Sequence, residues 1–375
     1  MEPPNSSPMH NAAIVRYGEI SLKGKNRIHF ERQLQADIIR FFKKNGTIYD
    51  NVLLKRGRIY INGLSDRPDL KRVFGIFSYS YAMKIDRDFE LLKDTVAQFF
   101  EQVQKSRSFR VSCQRVDKSF PMTSVDVERQ IGEVLYEGTG VPVHLKDPDL
   151  DFQIEIGEDG IYLFHERERA YGGMPYGSAG KLGVLISGGI DSPVAAFLMM
   201  KRGVEPVLIH YKITDSDAEK VVKIKEKLEE YASGREIKLI ITDRDDIFKG
   251  KFTSLYNNRK YHSYVCVMCK YLMHINTKEI AKREKLLGLI TGDNLAQVAS
   301  QTLKNLYAYR MSSGLPIYSP LISFDKIETI EIAKKIGTYD ISIRKSKGCE
   351  PPKNPKTGVS TEVFSQILKD SGVLD

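Results

Sequence analysis

Two patterns of apolar and polar positions divide the chain. From residue 12 to 164, short apolar runs and amphipathic stretches mix without strict order. They predict strands at 12–17, 52–56, 58–61, 78–85, 108–112, 152–156 and 161–164. Helices are expected at 27–44, 68–74 and 89–103, with another starting after Thr123 and Ser124. Mixed order of this kind suggests α+β modules. The stretch RAYGGMPYGSAG (169–180) is rich in Gly and turn residues and reads as a linker. Beyond it apolar strands alternate strictly with helices. Strands are expected at 182–186, 206–210, 236–241 and 286–291, helices at 192–202, 217–233, 261–283 and 298–307. That alternation predicts an α/β fold with a parallel sheet covered on both faces. Ligands of such sheets sit beyond the carboxyl ends of the strands. The sequence VLISGGIDSPVAA (184–196) falls at one of these ends.

Composition narrows the class. The chain has 375 residues and a hydrophobic fraction of 41%, enough for two or three cored domains. No apolar run approaches the roughly 18 residues of a membrane span. The first residues, MEPPNSSPMHNAA, lack the basic and apolar regions of a secretory signal. Four cysteines make no disulfide framework, so the expected compartment is the cytoplasm, with no membrane partner. The net charge of +9 is unevenly spread. Residues 1–120 hold 22 Lys and Arg against 13 Asp and Glu, 121–175 hold 4 against 12, and 176–375 hold 31 against 23. Two basic blocks flank an acidic one. Basic surface attracts phosphate backbones, although a solvated Lys-rich surface looks the same in sequence.

The Ser187–Ser192 stretch asks for an anion. Gly188 and Gly189 permit positive φ and keep side chains out of the backbone's way. The helix behind them offers unpaired N–H groups and the positive end of its dipole. Ser187 and Ser192 add hydroxyls, and the whole suits a phosphate. Asp191 is the odd member, since a carboxylate repels phosphate. It makes sense as a Mg²⁺ ligand or a helix cap. Pro193 sits in the first helical turn, where its missing N–H costs nothing. A Walker loop is excluded: Gly180-Lys181 is followed by Leu182, and Pro175 stands where the first glycine belongs.

SGGIDS with its flanks resembles the PP-loop of ATP pyrophosphatases, which cleave ATP between the α- and β-phosphates. Four further stretches are similar to those of the tRNA 4-thiouridine synthetase family. They are RYGEISLKGKNRIHFE (16–31), TGDNLAQVASQTLKNL (291–306), PLISFDKIETIEIAKKIGTYD (320–340) and CEPPKNPKT (349–357). The resemblance covers nearly the whole chain. It implies a ferredoxin-like α+β domain over 1–66, a THUMP RNA-binding α/β domain over 67–169 and a linker over 170–178. A doubly wound parallel-sheet PP-loop ATP pyrophosphatase domain would fill 179–375. The implied reaction is ATP-dependent thiolation of uridine 8 in tRNA. Sulfur transfer for thiamine thiazole synthesis is a further implied role.

The resemblance also assigns residues. Ser187, Gly188, Gly189, Asp191 and Ser192 would hold pyrophosphate with Mg²⁺. Leu185 and Ile186 would line the nucleotide pocket. His210 and Tyr211, ending the neighbouring strand, could frame adenine or ribose, although a lone histidine is more often structural. The family's nucleotide contacts fall on Lys270, Gly292 and Gln301. Asp325 and Glu328 form a capping-box pattern, which places Lys326 in a first helical turn, where a cation is unfavourable unless an anion is near. The resemblance puts Lys326 near the reacting phosphate or RNA.

Cys349 lies in KGCEPPK, a polar loop with flanking lysines. Positive surroundings favour a reactive thiolate, and the resemblance makes it the persulfide carrier. Cys266 and Cys269 form a CxxC in a helical stretch. With Cys349 they could ligate an iron–sulfur cluster, serve as a dithiol that resolves the persulfide, or simply pack the helix. Some family members carry a rhodanese domain. Here 26 residues follow Cys349, so a cysteine desulfurase or another separate persulfide donor is expected. RNA contacts are expected at Lys23, Lys25 and Arg27, at the 55–58 hairpin, and at Arg110, Arg115 and Lys118. A homodimer is the expected assembly. Rival functions are an amide-forming PP-loop synthetase, an RNA-independent sulfur carrier for thiazole synthesis, and an RNA-binding module with an inactive nucleotide site.

Overall fold

The computed structural model describes residues 10–55, 57–244, 255, 257–311, 314–345, 349 and 352–371. Arg56, in the expected basic hairpin, and Lys347, Gly348, Glu350 and Pro351, beside Cys349, lie outside the described residues. The chain forms two compact units, Met1–Gly173 and Met174–Asp375.

The first unit contains β1 (Ala12–Arg16), α1 (Arg27–Asn45), β2 (Asn51–Lys55), β3 (Arg58–Asn62), β4 (Ser78–Ile85), α2 (Phe89–Val96), α3 (Phe100–Gln104), β5 (Phe109–Arg115), α4 (Ser124–Thr139), β6 (Leu150–Ile156), β7 (Ile161–Phe164) and β8 (Glu168–Arg169). They make one sheet of order β2-β3-β1-β4-β7-β6-β5, with β8 paired to β4. The first four residues of β1 are buried, and the strand pairs antiparallel with β3 and β4. The β5–β6 pair is parallel. The helix start after residue 123 is explained by its cap: the Thr123 side chain accepts from Asp126 N. Two expected helices are altered. The 68–74 stretch forms only a turn at Leu70–Arg72, because Val73 is extended and buried with Phe74. So short a segment has no helical stability of its own. The 89–103 helix is interrupted by a 3₁₀ turn at Ala97–Phe99, which turns fully buried Phe99 against Phe152, with ring centroids 5.0 Å apart.

The second unit contains β9 (Gly180–Leu185), α5 (Asp191–Lys201), β10 (Val204–Lys212), α6 (Asp215–Glu229), β11 (Leu239–Asp243), α7 (Val265–Glu284), β12 (Leu289–Ile290), α8 (Leu303–Met311), β13 (Ile317–Tyr318), α9 (Lys326–Lys335), α10 (Tyr339–Ser342) and α11 (Thr361–Asp370). The sheet order is β11-β10-β9-β12-β13 and every pair is parallel. The order reverses between β9 and β12. Chains leaving those two strands diverge and open a crevice at their carboxyl ends. Three local expectations shift. Helix α6 starts at Asp215, because Thr214 and Asp217 form a full capping box. The 298–307 helix becomes a turn at Ala299–Gln301 followed by α8. The 286–291 strand pairs only at Leu289–Ile290. Among the described residues no helix is long and apolar enough to cross a membrane.

Candidate active site

The loop after β9 opens into a cavity of about 580 Å³. It sits at the reversal of strand order, as the alternating pattern required. Ser192, in the first turn of α5, stitches the loop closed. Its Oγ donates to Ser187 O (3.3 Å) and accepts from Ser187 N (2.9 Å). Ser187 Oγ accepts from Gly189 N (3.3 Å), and Ser342 Oγ donates to Gly189 O (3.2 Å). The loop is therefore preorganised by its own hydroxyls.

The glycines act through space rather than through φ. Neither Gly188 nor Gly189 has positive φ, contrary to the first reason for expecting them. A Cβ on Gly188 would come 2.7 Å from Lys220 Cδ. The Lys220 stem lies against the loop, and its ammonium donates to Arg344 O (2.7 Å). Gly292 is more constrained still, since a Cβ there would stand 2.8 Å from Ser192 N. The segment after β12 thus rests directly on the amino end of α5.

Asp191 does not cap α5. Ile190 holds the cap position, and no side chain bonds there. Instead Asp191 Oδ1 accepts from Lys326 Nζ at 2.7 Å. The capping box expected at Asp325 and Glu328 is formed in both directions. Lys326 thus sits at the unfavourable amino end of α9 with Asp191 as its anion. Asp191 also lines the cavity, and its carboxylate is the hard oxygen donor that Mg²⁺ would take there.

The sides of the cavity come from β10, α7 and the segment after β12. His210 is buried, and its Nδ1 donates to Ile186 O (3.0 Å), while Nε2 stands 3.6 Å from Asp217 Oδ2. The Tyr211 hydroxyl turns toward α7, donating to Met273 O (3.0 Å) and meeting Thr277 Oγ1 at 2.7 Å. Lys270 Nζ donates to Asp293 Oδ1 at 2.5 Å, and Gln301 Nε2 reaches the same oxygen at 3.4 Å. Leu185 and Ile186 line the cavity. Every expected nucleotide residue therefore lies on one cavity. Sequence reasoning missed Lys220, Arg244, His274, Asp293 and Ser342, which also line it. Only Asp293 lay within a quoted motif; the others carry no local signature.

Cys349 and Cys269 line the same cavity. Cys349 is exposed, with Arg244 Nη1 3.9 Å from its sulfur. Burial pushes the Cys269 thiol up to about 12 and the Cys266 thiol upward as well. The Cys349 thiol lies near enough to both CxxC thiols to help raise them. Among the described residues no three His, Cys, Asp or Glu side chains are grouped to hold a metal ion. Cys269 also packs against the apolar cluster of α7, α8 and α11.

In the first unit the expected RNA contacts separate into two kinds. Arg27 is bonded to Glu31 (2.5 Å), and Arg110 to Asp151 (2.8 Å). Arg115 donates to the Phe120 and Met122 carbonyls (3.0 and 2.6 Å). Lys23 lies 3.8 Å from Glu19. Lys25 and Lys118 stand exposed. Lys55 and Arg58 of the hairpin pair with Glu158, Asp159 and Glu155.

Comparison with known proteins agrees with this arrangement. Residues 177–371 match the family model "Thiamine biosynthesis protein (ThiI)", residues 12–80 the ThiI ferredoxin-like domain, and residues 86–166 the THUMP domain. A probable tRNA sulfurtransferase of Thermococcus kodakarensis is 39% identical over 372 residues, covering 96% of both chains. One from Methanocaldococcus jannaschii is 38% identical, covering 94% of this chain and 95% of that protein. A crystal structure of a 4-thiouridine synthetase–RNA complex with bound ATP superposes with a TM-score of 0.85 at 31% identity. It covers 98% of this chain and 96% of that one. With a PP-loop at the sheet's switch point, and likeness along nearly its full length, the chain belongs to the ThiI family, that of the tRNA sulfurtransferases.

Proposed function

We propose that the chain is an ATP-dependent tRNA sulfurtransferase that makes 4-thiouridine at position 8 of tRNA. One observation carries the reading: the PP-loop and Cys349 line a single cavity. The phosphate-binding group and the sulfur-bearing group can therefore meet one substrate atom. The domain division 1–66, 67–169 and 179–375 belongs to the proposal, with RNA recognition on the first two segments and chemistry on the third.

ATP enters with its phosphates on Ser187, Gly188, Gly189 and Ser192. Backbone N–H groups and the amino end of α5 stabilise the departing pyrophosphate. Leu185, Ile186, His210 and Tyr211 border the base and ribose, and Lys270, Gly292 and Gln301 complete the nucleotide contacts. Asp191 would hold Mg²⁺, which when bound neutralises phosphate charge. Uridine O4 attacks the α-phosphorus, and pyrophosphate leaves. Lys326, beside Asp191, favours the charge that develops there. The terminal sulfur of a Cys349 persulfide then attacks C4, and AMP leaves with the former O4. The resulting disulfide between the nucleoside and Cys349 is cleaved by a thiol, from the CxxC or from an external reductant. This gives 4-thiouridine and a protein disulfide, or a mixed disulfide with the external thiol. Burial raises both CxxC thiols, so either would attack through a small thiolate fraction at neutral pH. The sulfur itself comes from a separate donor such as a cysteine desulfurase, and the same persulfide could serve thiazole synthesis.

The test is thiolation of unmodified tRNA with ATP, Mg²⁺ and a persulfide donor. It compares wild type with Cys349→Ser and reads 4-thiouridine and AMP together. Wild type should give both, and the variant AMP without thiouridine. Equal thiouridine from both would remove Cys349 from the mechanism. Repeated at rising dilution, the assay tests the homodimer: constant specific activity down to the monomer excludes it.

A further inference from the structure

We infer that Asp293 is a positioning residue for the nucleotide, holding Lys270 and Gln301 through one carboxylate oxygen while the scaffold fixes the other. The inference rests on the reading of Lys270 and Gln301 as nucleotide contacts.

The geometry separates the two oxygens by what they touch. Oδ2 accepts from Thr291 Oγ1, Tyr309 OH and Arg310 Nη2, each at 2.9 Å. Those donors belong to the fold. Tyr309 is fully buried, and Thr291 and Arg310 both bond Ser319, at 2.8 and 2.5 Å. Oδ1 faces the other way and accepts from Lys270 (2.5 Å) and Gln301 (3.4 Å). Asp293 is only 4% exposed, so this acceptor cannot wander. Burial alone would raise its pKa. Lys270 and Arg310 outweigh burial and hold the group well below the usual carboxylate range. The carboxylate is a rigid bracket, anchored by three donors and presenting one fixed anionic oxygen to two cavity residues. A lysine left to itself samples many rotamers, and ordering it opposes binding. Pre-ordering by Asp293 removes that cost before the nucleotide arrives.

A bland alternative makes the opposite prediction. If Asp293 merely balanced charge, deleting its charge would leave the cavity more positive and tighten binding of anionic ATP. Asp293→Asn separates the two. Its amide oxygen can keep the three scaffold donors. Its NH₂ then faces the Lys270 ammonium, which cannot accept, while the Gln301 amide can meet it only by turning over to offer its Oε1. Positioning predicts that D293N weakens ATP about tenfold or more, the scale of a lost hydrogen bond to a charged group. The loss should fall on the KM for ATP rather than on kcat, while the thermal unfolding temperature falls because Lys270 and Arg310 lose their anion.

The experiment measures equilibrium binding of ATP with Mg²⁺ by calorimetry, and KM and kcat by AMP release. It uses full-length wild type, D293N, Lys270→Met and the double variant. The expected result is weak binding in D293N and less than about twofold further loss when D293N is added to K270M, because the two act through one contact. ATP binding in D293N equal to or tighter than wild type overturns the inference. So does an undiminished effect in the K270M background. Should D293N fail to fold, Tyr309→Phe removes one anchoring donor while keeping charge and bulk. It should weaken ATP by about threefold, and unchanged binding overturns the inference. Wild type that binds no ATP would instead overturn the proposed function.

Discussion

His274 shows what one residue's surroundings decide. It is 1% exposed, lines the cavity, and meets the Tyr309 ring edge-on at 5.2 Å. Its Nδ1 has no hydrogen-bond partner among the described residues. Burial pushes its pKa down to about 4, with Lys270 and Arg310 helping and Asp293 opposing. The ring is therefore neutral at pH 7 and adds no positive charge to the cavity. The sign of the pH effect follows. Unfolded, the imidazole titrates near 6.5; folded, near 4. Between those values only the unfolded chain takes the proton. This contribution to stability is present above 6.5 and is lost as pH falls toward 4, at about 1.4 kcal/mol per pH unit. His274→Gln removes the titration and keeps a polar group of similar reach. Urea unfolding at pH 7 and pH 5 should show wild type losing about 2 kcal/mol more than the variant. Equal losses would put the acid sensitivity elsewhere.

At the scale of elements, caps decide more than propensities. Asp325 accepts from Glu328 N and Glu328 accepts from Asp325 N, both at 2.8 Å, and Lys326 follows at once as the first residue of α9. Asp325→Ala should lower stability by about 1 kcal/mol in denaturant unfolding. It should also loosen the helix end from which Lys326 reaches Asp191. No loss of stability would mean that packing of Thr329 and Ala333 fixes the start of the helix alone. This box was legible because both partners lie within four residues. The equivalent box at Thr214 and Asp217 was equally local, yet the expected helix began at its third residue rather than at its cap. SGGIDS was legible for the same reason: strand end, small residues and helix start are contiguous. The short strands β8 and β13 were not, because two residues carry no periodicity and pair only where a neighbour supplies the partner. Lys220 enters the cavity from within α6 and Arg244 from just beyond β11. Nothing in their local sequence distinguishes them from solvated cations. Asp293 stood in TGDN, yet its meaning lies in Thr291, Tyr309 and Arg310 converging on it, which only the fold brings about.

For the whole molecule, the uneven charge noted along the sequence acquires a physical reading once paired cations are set aside. Arg27, Arg58 and Arg110 neutralise carboxylates within the first unit, and Arg115 braces a loop by holding two carbonyls. Their charge still contributes to the field around the unit, but their guanidinium groups are already oriented by the fold. Lys25, in a 3₁₀ turn before α1, and Lys118, in the turn after β5, are exposed and form no ion pair among the described residues. Phosphate binding releases condensed counterions, so each true phosphate contact adds to the slope of log affinity against log salt. Replacing Lys25 and Lys118 together by Gln should weaken tRNA binding. It should also lower the salt slope by about 1 for each lysine that contacts phosphate. Arg115→Gln should behave differently, destabilising the loop that holds Phe120 against the core while the salt slope changes little. Binding measured across a salt series on the full chain separates these outcomes. An unchanged slope in the double variant would mean that RNA is held through other groups of the basic blocks, with Lys25 and Lys118 remaining solvated.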